Sequence, residues 1–365
     1  VFLCIVLAIV FINTKSVVPM ILAILLMCIC LKHSGSKLFL ILLISFSFFL
    51  FYKAEKYDKD LSNIYVEEKY VVKEVKESYL IVKAKEKYIV YLDDTSIYKP
   101  GNVVKIKGVY KTIEKDLDID IFEFSKYLSH KRIYYKIDIN EISIIDFKQS
   151  ISSSIVHFLT NKLENESYDM TKMLLFNDKY SNIDNYTNLI EINAVHLFVV
   201  SGFHISFIFS LIQLFFKKHK KFGVIFSVFL TGLYVYILNF AIGALRAYLT
   251  KILLIIFKKK INSLDAVSIS GIIILLIEPQ NVFMYSFIMS YLITFVIVLS
   301  NKLLSKYNKF IQTFLISLIC FFTMIPLQLQ LNNTLNFISI FSNVFFGYAV
   351  IVIFLLCIIG LPLSL

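Results

Sequence analysis

Residues 194–208, AVHLFVVSGFHISFI, place two histidines, a serine and a glycine inside an apolar run. His196 and His204 are eight residues apart, whereas helical zinc pairs stand at i and i+4, so the spacing argues against a metal chelate. Polar side chains at membrane depth usually face a bundle interior or a wet cavity. We therefore predict that His196, Ser201 and His204 line or shape a polar path. Gly202 would allow close helix approach.

Two other interpretations fit the same segment. Both histidines can be structural, with hydrogen bonds to helix backbones, while Ser201 and Gly202 permit close packing. Ser201 can also be the nucleophile of an intramembrane serine protease, with a histidine from another helix as the base. No other predicted span contains a histidine, and His204 on the same helix is expected to be poorly placed to activate Ser201. No metal site or cofactor is predicted.

GALRAYLTK, residues 243–251, contains a further candidate, Arg246, which lies in a predicted span and is followed by Lys251 about one and a half turns later. Burying a guanidinium in a membrane is costly unless it meets water, a carboxylate or a phosphate. No Asp or Glu is predicted at the same depth, so a passing anion or a polar lumen is the expected partner, and snorkelling toward an interface is the alternative. Pro326 and Asn343 lie in later apolar segments, where such residues kink helices and line polar cavities.

The elements that position these residues are predicted to be transmembrane helices. The chain has 365 residues, of which 58% are hydrophobic, and its mean hydropathy is +0.74. A span needs about 20 apolar residues. The candidate spans are residues 1–12, 17–31, 38–52, 192–216, 222–241, 243–257, 264–277, 282–300, 310–331 and 335–364. The predicted fold class is a polytopic α-helical membrane protein.

Lysines in the short loops predict the orientation, because Lys and Arg favour the cytoplasmic side of a membrane. Four lysine-containing loops fall on one side when the predicted spans alternate. They contain Lys32 and Lys37; Lys217, Lys218, Lys220 and Lys221; Lys258, Lys259 and Lys260; and Lys302, Lys306 and Lys309. This arrangement assigns the excess charge of +11 to cytoplasmic loops and places the polar block after residue 52 outside the cell.

Residues 64–146 of this polar block alternate apolar and polar in short runs rich in β-branched and aromatic residues. The runs are 71–75, 78–84, 87–92, 102–110 and 132–139. They predict a small extracellular β-barrel with an OB-like fold. Candidate DNA contacts on this barrel are Lys83, Lys85, Lys87 and Tyr88. Cations and aromatic faces bind single strands, although a solvated turn explains the same composition.

These segments resemble the ComEC competence proteins, which form the inner-membrane channel for DNA taken up during natural transformation. NAVHLFVVSGFHISFI at 193–208 is similar to the most characteristic segment of that family. GALRAYLT at 243–250 resembles its Arg-Ala helix, although Ala244 and Leu245 replace a serine-proline pair. MIPLQLQLNNTLNFISIFSNVF at 324–345 resembles its Pro-containing helix, and FEFSKYLSHKRIYYKI at 122–137 resembles the end of its external OB-like domain.

The resemblance implies a channel for single-stranded DNA in the bacterial cell membrane, with Arg246 in contact with phosphate. It implies as partners DNA, the lipid bilayer, a DNA receptor, a cytoplasmic ATPase and a separate nuclease. Many family members carry a C-terminal metallo-β-lactamase-like domain with a metal site, and no such sequence occurs here, so the chain is expected not to be an enzyme. A small-anion transporter is a third class, although we find no convincing internal hydropathy repeat for it.

The predicted organisation has four parts. They are N-terminal transmembrane helices at 1–52, the extracellular barrel at 53–147, an amphipathic helical linker at 148–191 and a competence-type channel domain at 192–365. Either the sequence is a fragment of a longer protein or the protein is a short, channel-only form.

Overall fold

The computed structural model describes residues 5–7, 9–10, 61–113, 124–148, 150–163, 165–177, 200–332 and 337–364. His196 lies outside these described residues, as do the predicted spans 17–31 and 38–52. The chain divides into two compact units. The first contains residues 3–151 and 278–284, and the second contains residues 152–277 and 285–365.

Five strands form a closed barrel in the first unit. They are β1 (Tyr65–Val75), β2 (Tyr79–Lys83), β3 (Lys87–Tyr91), β4 (Asn102–Thr112) and β5 (Tyr135–Phe147). Their order around the barrel is β1-β2-β3-β5-β4, and neighbours pair antiparallel except β3 and β5, which are parallel. The predicted barrel is confirmed. Strand β5 continues past the predicted end at residue 139, because its second half pairs with β4 as far as Phe147.

The barrel closes around an apolar interior. Inward-facing residues of β1 and β4 alternate along each strand, as expected for a sheet with one face buried. These residues are Val66, Tyr70, Val72, Val104, Ile106 and Tyr110. In β3, the consecutive residues Tyr88, Ile89 and Val90 are all buried. Both faces of β3 are covered, because helix α1 (Phe124–His130) packs Leu128 against Ile89 on the outer side.

A short 3₁₀ turn, Pro279–Phe283, also belongs to this unit. The ring of Phe283 stacks on His130 with the ring centroids 4.3 Å apart, and Arg132 Nη2 lies 2.7 Å from Glu278 Oε1. Burial, with a smaller effect from Lys126, lowers the pKa of His130 to about 4. His130 is therefore neutral at physiological pH.

The second unit consists of helices. They are α2 (Ile151–Thr160), α3 (Asn165–Phe176), α4 (Gly202–Phe215), α5 (Lys220–Ile237), α6 (Ile242–Phe257), α7 (Ser263–Ile277), α8 (Tyr285–Leu303), α9 (Lys309–Asn332) and α10 (Ile338–Ser364). A lysine turn, Lys258–Lys260, joins α6 to α7. The boundaries of the later helices follow the predicted apolar segments closely, because polar residues separate those segments.

The burial pattern of helix α5 indicates whether water or lipid surrounds these helices. Its buried positions repeat every four residues and are mostly small or hydroxyl side chains: Gly223, Ser227, Thr231 and Val235. Its exposed positions are large and apolar, and include Phe222, Ile225, Phe229 and Leu233. The buried hydroxyls of Ser227 and Thr231 donate to backbone carbonyls one turn earlier. This pattern reverses that of a soluble helix and matches helices that pack through small residues in lipid.

Three helices in the described part of the chain are long and apolar enough to cross a membrane. They are Lys220–Ile237, Tyr285–Leu303 and Lys309–Gln330. These helices coincide with the predicted spans 222–241, 282–300 and 310–331. The other predicted spans stay predictions.

Candidate functional site

Helix α4 begins with hydrogen bonds between Ser201 and His204. The Ser201 backbone N–H donates to His204 Nδ1 at 2.9 Å, and the Ser201 hydroxyl oxygen lies 3.1 Å from the same nitrogen. This is a capping box, in which the third residue of a helix caps the backbone of the residue before the helix. Because Nδ1 accepts the Ser201 N–H, the neutral ring carries its proton on Nε2.

The other ring nitrogen of His204 has no such partner. His204 is 1% exposed, and its Nε2 has no hydrogen-bond acceptor among the described residues. Its ring lies edge-on to Phe354 of α10, with the ring centroids 4.4 Å apart. A buried N–H donor without an acceptor is costly and rare. His204 therefore has a structural role through Nδ1 and an unused donor at Nε2.

The Ser201–His204 geometry bears on the protease interpretation. One helical turn at the start of α4 brings His204 Nδ1 within 3.1 Å of the Ser201 hydroxyl oxygen, so the two groups are in contact. The expectation that His204 is poorly placed to activate Ser201 stays a prediction. His204 Nδ1 already accepts the Ser201 N–H, and no described carboxylate orients the ring through Nε2. The pair has the nucleophile and base of a hydrolase without the third, orienting group.

Gly202 lets helix α6 approach the start of α4. A Cβ on Gly202 would lie 2.7 Å from Arg246 Nη2 and 3.2 Å from Ala247 Cβ. Both distances are shorter than ordinary van der Waals contact, so any side chain at this position would displace the guanidinium. A side chain at position 202 therefore requires a shift of the flexible Arg246 side chain and a movement of a few tenths of an ångström at Ala247.

Arg246 is the charged group at the centre of this site. Its guanidinium carbon lies 6.0 Å from the centroid of the Tyr291 ring on α8. Its Nε has no hydrogen-bond partner among the described residues, and no described Asp or Glu pairs with it. An aromatic face stabilises a cation only in part. Removing a charge from water without a counter-charge is unfavourable, so an anion beside Arg246 would be stabilised.

Three hydroxyl groups extend the site from Arg246 toward α7. The hydroxyl oxygens of Tyr291 and Ser270 are 3.1 Å apart, and both residues are buried. The Thr250 hydroxyl lies 3.3 Å from Ser270 Oγ and 2.8 Å from the Arg246 carbonyl oxygen. Sequence reasoning missed these residues, although each is a polar residue in a predicted span and could have been found on that ground.

These groups define what the site can do chemically. His204 Nε2 is a separate donor on a ring that lies against Phe354. Around Arg246, the guanidinium provides N–H donors, and the hydroxyls of Thr250, Ser270 and Tyr291 can donate or accept. Such a set suits an oxyanion, because charge-assisted N–H···O⁻ hydrogen bonds are the strong ones. Among the described residues, no group of three or more His, Cys, Asp or Glu side chains could hold a metal ion.

Two further predicted site residues lie in later helices. Pro326 is inside α9, where it removes one backbone donor, and its side chain is exposed. Asn343 lies in α10, but its side chain is outside the described part of the structure. Their roles in lining a path stay predictions.

The barrel residues differ from one another in exposure. Lys83 and Lys87 face each other across the β2–β3 hairpin, and both are exposed, as is Lys85 in the turn. Tyr88 is only 6% exposed, because its ring lies in the barrel interior. This placement corrects the expectation that Tyr88 presents its face to nucleic acid. Helix α1 and the barrel interior bury both faces of β3.

Tyr88 instead belongs to a buried group of tyrosines. Its ring stacks on Tyr110 with the ring centroids 4.8 Å apart, and the hydroxyl oxygens of Tyr70 and Tyr110 are 2.7 Å apart. Burial raises the pKa of Tyr70 to about 12, and it also raises the pKa values of Tyr88 and Tyr110. The three phenols stay protonated and stabilise the barrel interior.

The fold and the site together define a class: a membrane protein with a five-stranded barrel and, between apolar helices, a partly buried arginine that pairs with no carboxylate of the described residues. The family model described as "Competence protein" matches residues 174–365, a range that includes Ser201, Gly202, His204 and Arg246. The chain belongs to the competence protein family. The resemblance drawn from the sequence is confirmed.

Three curated relatives extend this comparison. The chain is 30% identical over 211 residues to an uncharacterized protein of Mycoplasma genitalium, covering 58% of this chain and 55% of the relative. A homologue from Mycoplasma pneumoniae is 33% identical over 175 residues, covering 48% and 46%. ComE operon protein 3 of Bacillus subtilis is 24% identical over 262 residues, covering 67% and 34%.

The chain spans about half the length of the two Mycoplasma relatives and about a third of the Bacillus protein. No solved structure matches the chain.

Proposed function

We propose that this protein forms a channel that carries single-stranded DNA across the cytoplasmic membrane during natural transformation. Membership of the competence family supports a role in DNA uptake. The observation that supports the channel role most directly is Arg246, a largely buried guanidinium without a carboxylate partner among the described residues. A phosphodiester that passes the site would provide the missing charge.

A channel must bind its cargo weakly enough to release it. One arginine and a few neighbouring hydroxyls fit such weak contact, whereas a dense cationic cluster would retain a polyanion. Contact through phosphate is also independent of base sequence. The geometry around Arg246 therefore supports passage rather than tight, sequence-specific binding.

The membrane topology that we propose is the one predicted from the sequence. The helices would form a polytopic bundle, with the lysine loops in the cytoplasm and the barrel outside the cell as an OB-like domain. The four-part division at residues 52, 147 and 191 belongs to this proposal. Its partners would be DNA, the lipid bilayer, a DNA receptor, a cytoplasmic ATPase and a separate nuclease.

The test replaces Arg246 in the full-length gene, expressed in a transformable strain that lacks its own competence channel. A hydrogen bond to a charged group contributes about 1.5–3 kcal/mol, so Arg246→Gln should lower import of labelled DNA by about 10- to 100-fold. Arg246→Lys should retain part of the import. Immunoblots of the membrane fraction must show equal amounts of each variant. Undiminished import by Arg246→Gln at equal abundance refutes the role.

The contact between Ser201 and His204 keeps a hydrolase as the second candidate function. A fluorophosphonate that labels Ser201 in the wild type, but not in Ser201→Ala, would support this alternative. If the protein is a channel only, Ser201→Ala should import DNA and no label should appear. A small-anion transporter would instead move phosphate or sulfate into vesicles at a rate that depends on Arg246.

A further inference from the structure

A second cation lies farther along helix α6 than Arg246. Lys251 follows Arg246 by five residues, which corresponds to about 7.5 Å along the helix axis. Its Nζ lies 5.1 Å from the centroid of the Phe209 ring on α4, and Phe209 is only 2% exposed. The ammonium is therefore held against an aromatic face inside the helical unit.

The two cations contact the same neighbouring helix at successive levels. Arg246 lies against Gly202 at the start of α4, and Lys251 lies against Phe209 two turns later. Helices α4 and α6 thus run parallel, and each cation contacts α4 at its own level, with the two side chains starting about 140° apart around α6. Residues 202 and 209 are separated by about 10.5 Å along α4, which is comparable with the separation of the cations along α6.

Among the residues that the structure describes, no carboxylate pairs with Lys251. Between residues 200 and 332 the sequence contains only two acidic residues, Asp265 and Glu278. Asp265 accepts the Asn262 N–H at 3.0 Å, and Glu278 pairs with Arg132. Other charged side chains on the helices packed against α6 are lysines: Lys220 and Lys221 on α5 and Lys302 on α8.

Beyond Lys251, helix α6 ends in the turn Lys258–Lys260. Along α6 and the turn that follows it, one arginine and one lysine, both partly buried, are thus followed by three consecutive lysines. A strand with one negative charge per nucleotide would meet a new cation at each level. The Phe209 ring positions the Lys251 ammonium without cancelling its charge.

We infer that Lys251 is the second phosphate contact of the path, reached by the DNA backbone next to Arg246. The ligand is the phosphodiester of a single strand. This inference rests on the proposed function, and it adds a second binding residue on α6.

The first test compares three variants of the full-length protein in the import assay. Lys251→Met keeps the length of the side chain and removes its charge, and should lower import about tenfold. Lys251→Arg keeps the charge and should import at a level close to wild type. Lys302→Met removes an exposed lysine on α8 and should leave import unchanged. Equal import by Lys251→Met and wild type, at equal membrane abundance, overturns the inference.

Chemical rescue separates charge from packing. Lys251→Cys is made in a protein whose five native cysteines have been replaced and which still imports DNA. Modification with aminoethyl methanethiosulfonate restores an ammonium and should restore import, whereas the sulfonatoethyl reagent should not. No reaction with either reagent, or equal import after both, overturns the inference.

The two proposals fail in different ways. If Arg246→Gln abolishes import while Lys251→Met does not, the DNA path stands and Lys251 is not part of it. If neither substitution affects import, the proposed function fails as well.

Discussion

The contact between Gly202 and Arg246 predicts the effect of adding a single methyl group. In Gly202→Ala the new Cβ would lie 2.7 Å from Arg246 Nη2 and 3.2 Å from Ala247 Cβ, so the guanidinium must move. Overpacking of this kind costs about 1–3 kcal/mol. Replacing glycine by alanine in a helix returns about 0.5–1 kcal/mol. The net expectation lies between no change and a loss of about 2.5 kcal/mol in the free energy of unfolding, together with reduced DNA import.

Gly243, near the start of α6, provides a matched control. A Cβ there would meet Ser290 Oγ at 3.8 Å and the Val200 carbonyl oxygen at 3.9 Å, which are ordinary contacts. Gly243→Ala should therefore be neutral or stabilising by up to about 1 kcal/mol. The free energy of unfolding of Gly202→Ala should therefore be lower than that of Gly243→Ala.

The assay is thermal unfolding in detergent, followed by circular dichroism, with a double-mutant cycle. In an Arg246→Ala background, the 2.7 Å contact is gone, so most of the destabilisation by Gly202→Ala should disappear. The expected coupling is about 1–2 kcal/mol, within the usual range for residues in contact. Equal destabilisation in both backgrounds would refute the reasoning, because the guanidinium would then not be the group displaced.

Three further predictions concern other parts of the molecule. The NMR signal of His130, identified by its loss in His130→Gln, should titrate near pH 4. Because the histidine of the unfolded chain binds its proton near pH 6.5, the free energy of unfolding should fall by about 1–2 kcal/mol as the pH drops from 6.5 to 4. Titration of His130 near pH 6.5 would contradict this prediction. Tyr110→Phe should lower the free energy of unfolding by about 1–3 kcal/mol, because it leaves the buried Tyr70 hydroxyl without its hydrogen-bond partner. Thermal unfolding measures this loss, and a loss no larger than that of the exposed control Tyr91→Phe would contradict the prediction. Phe229→Lys should lower the amount of protein in the membrane fraction, because a lysine at the centre of a span costs about 2.5–3.5 kcal/mol on insertion. Phe229→Leu should leave that amount unchanged. Equal amounts of Phe229→Lys and wild type in the membrane would argue that this face of α5 does not contact lipid.

Much of the barrel could be predicted from local patterning. Strands β1 and β4 alternate inward and outward residues, and this period-two signal requires no knowledge of the fold. Tyr88 was misplaced because β3 is covered on both faces, by the barrel interior and by Leu128 of α1. Alternation cannot identify such a strand, since all of its central residues are buried.

The site was predicted in part. Arg246 and Gly202 stand out in the sequence because a charge and a glycine are unusual in apolar segments, yet their contact depends on how α4 and α6 pack. The hydrogen bond from Ser201 to His204 could have been found, because a polar residue three positions after a serine is the pattern of a capping box. Tyr291 joins the site only through the packing of α8, which the sequence alone does not specify.

The central claim is that DNA passes beside Arg246, and photo-crosslinking tests it most directly. Tyr291 is replaced by p-benzoylphenylalanine, which keeps an aromatic ring in the position 6.0 Å from the guanidinium carbon. Phe229, on the exposed face of α5, receives the same replacement as a control. Illumination during import of radiolabelled DNA should yield a protein–DNA adduct at position 291 and none at position 229. Continued import without an adduct at position 291 would contradict the proposed path.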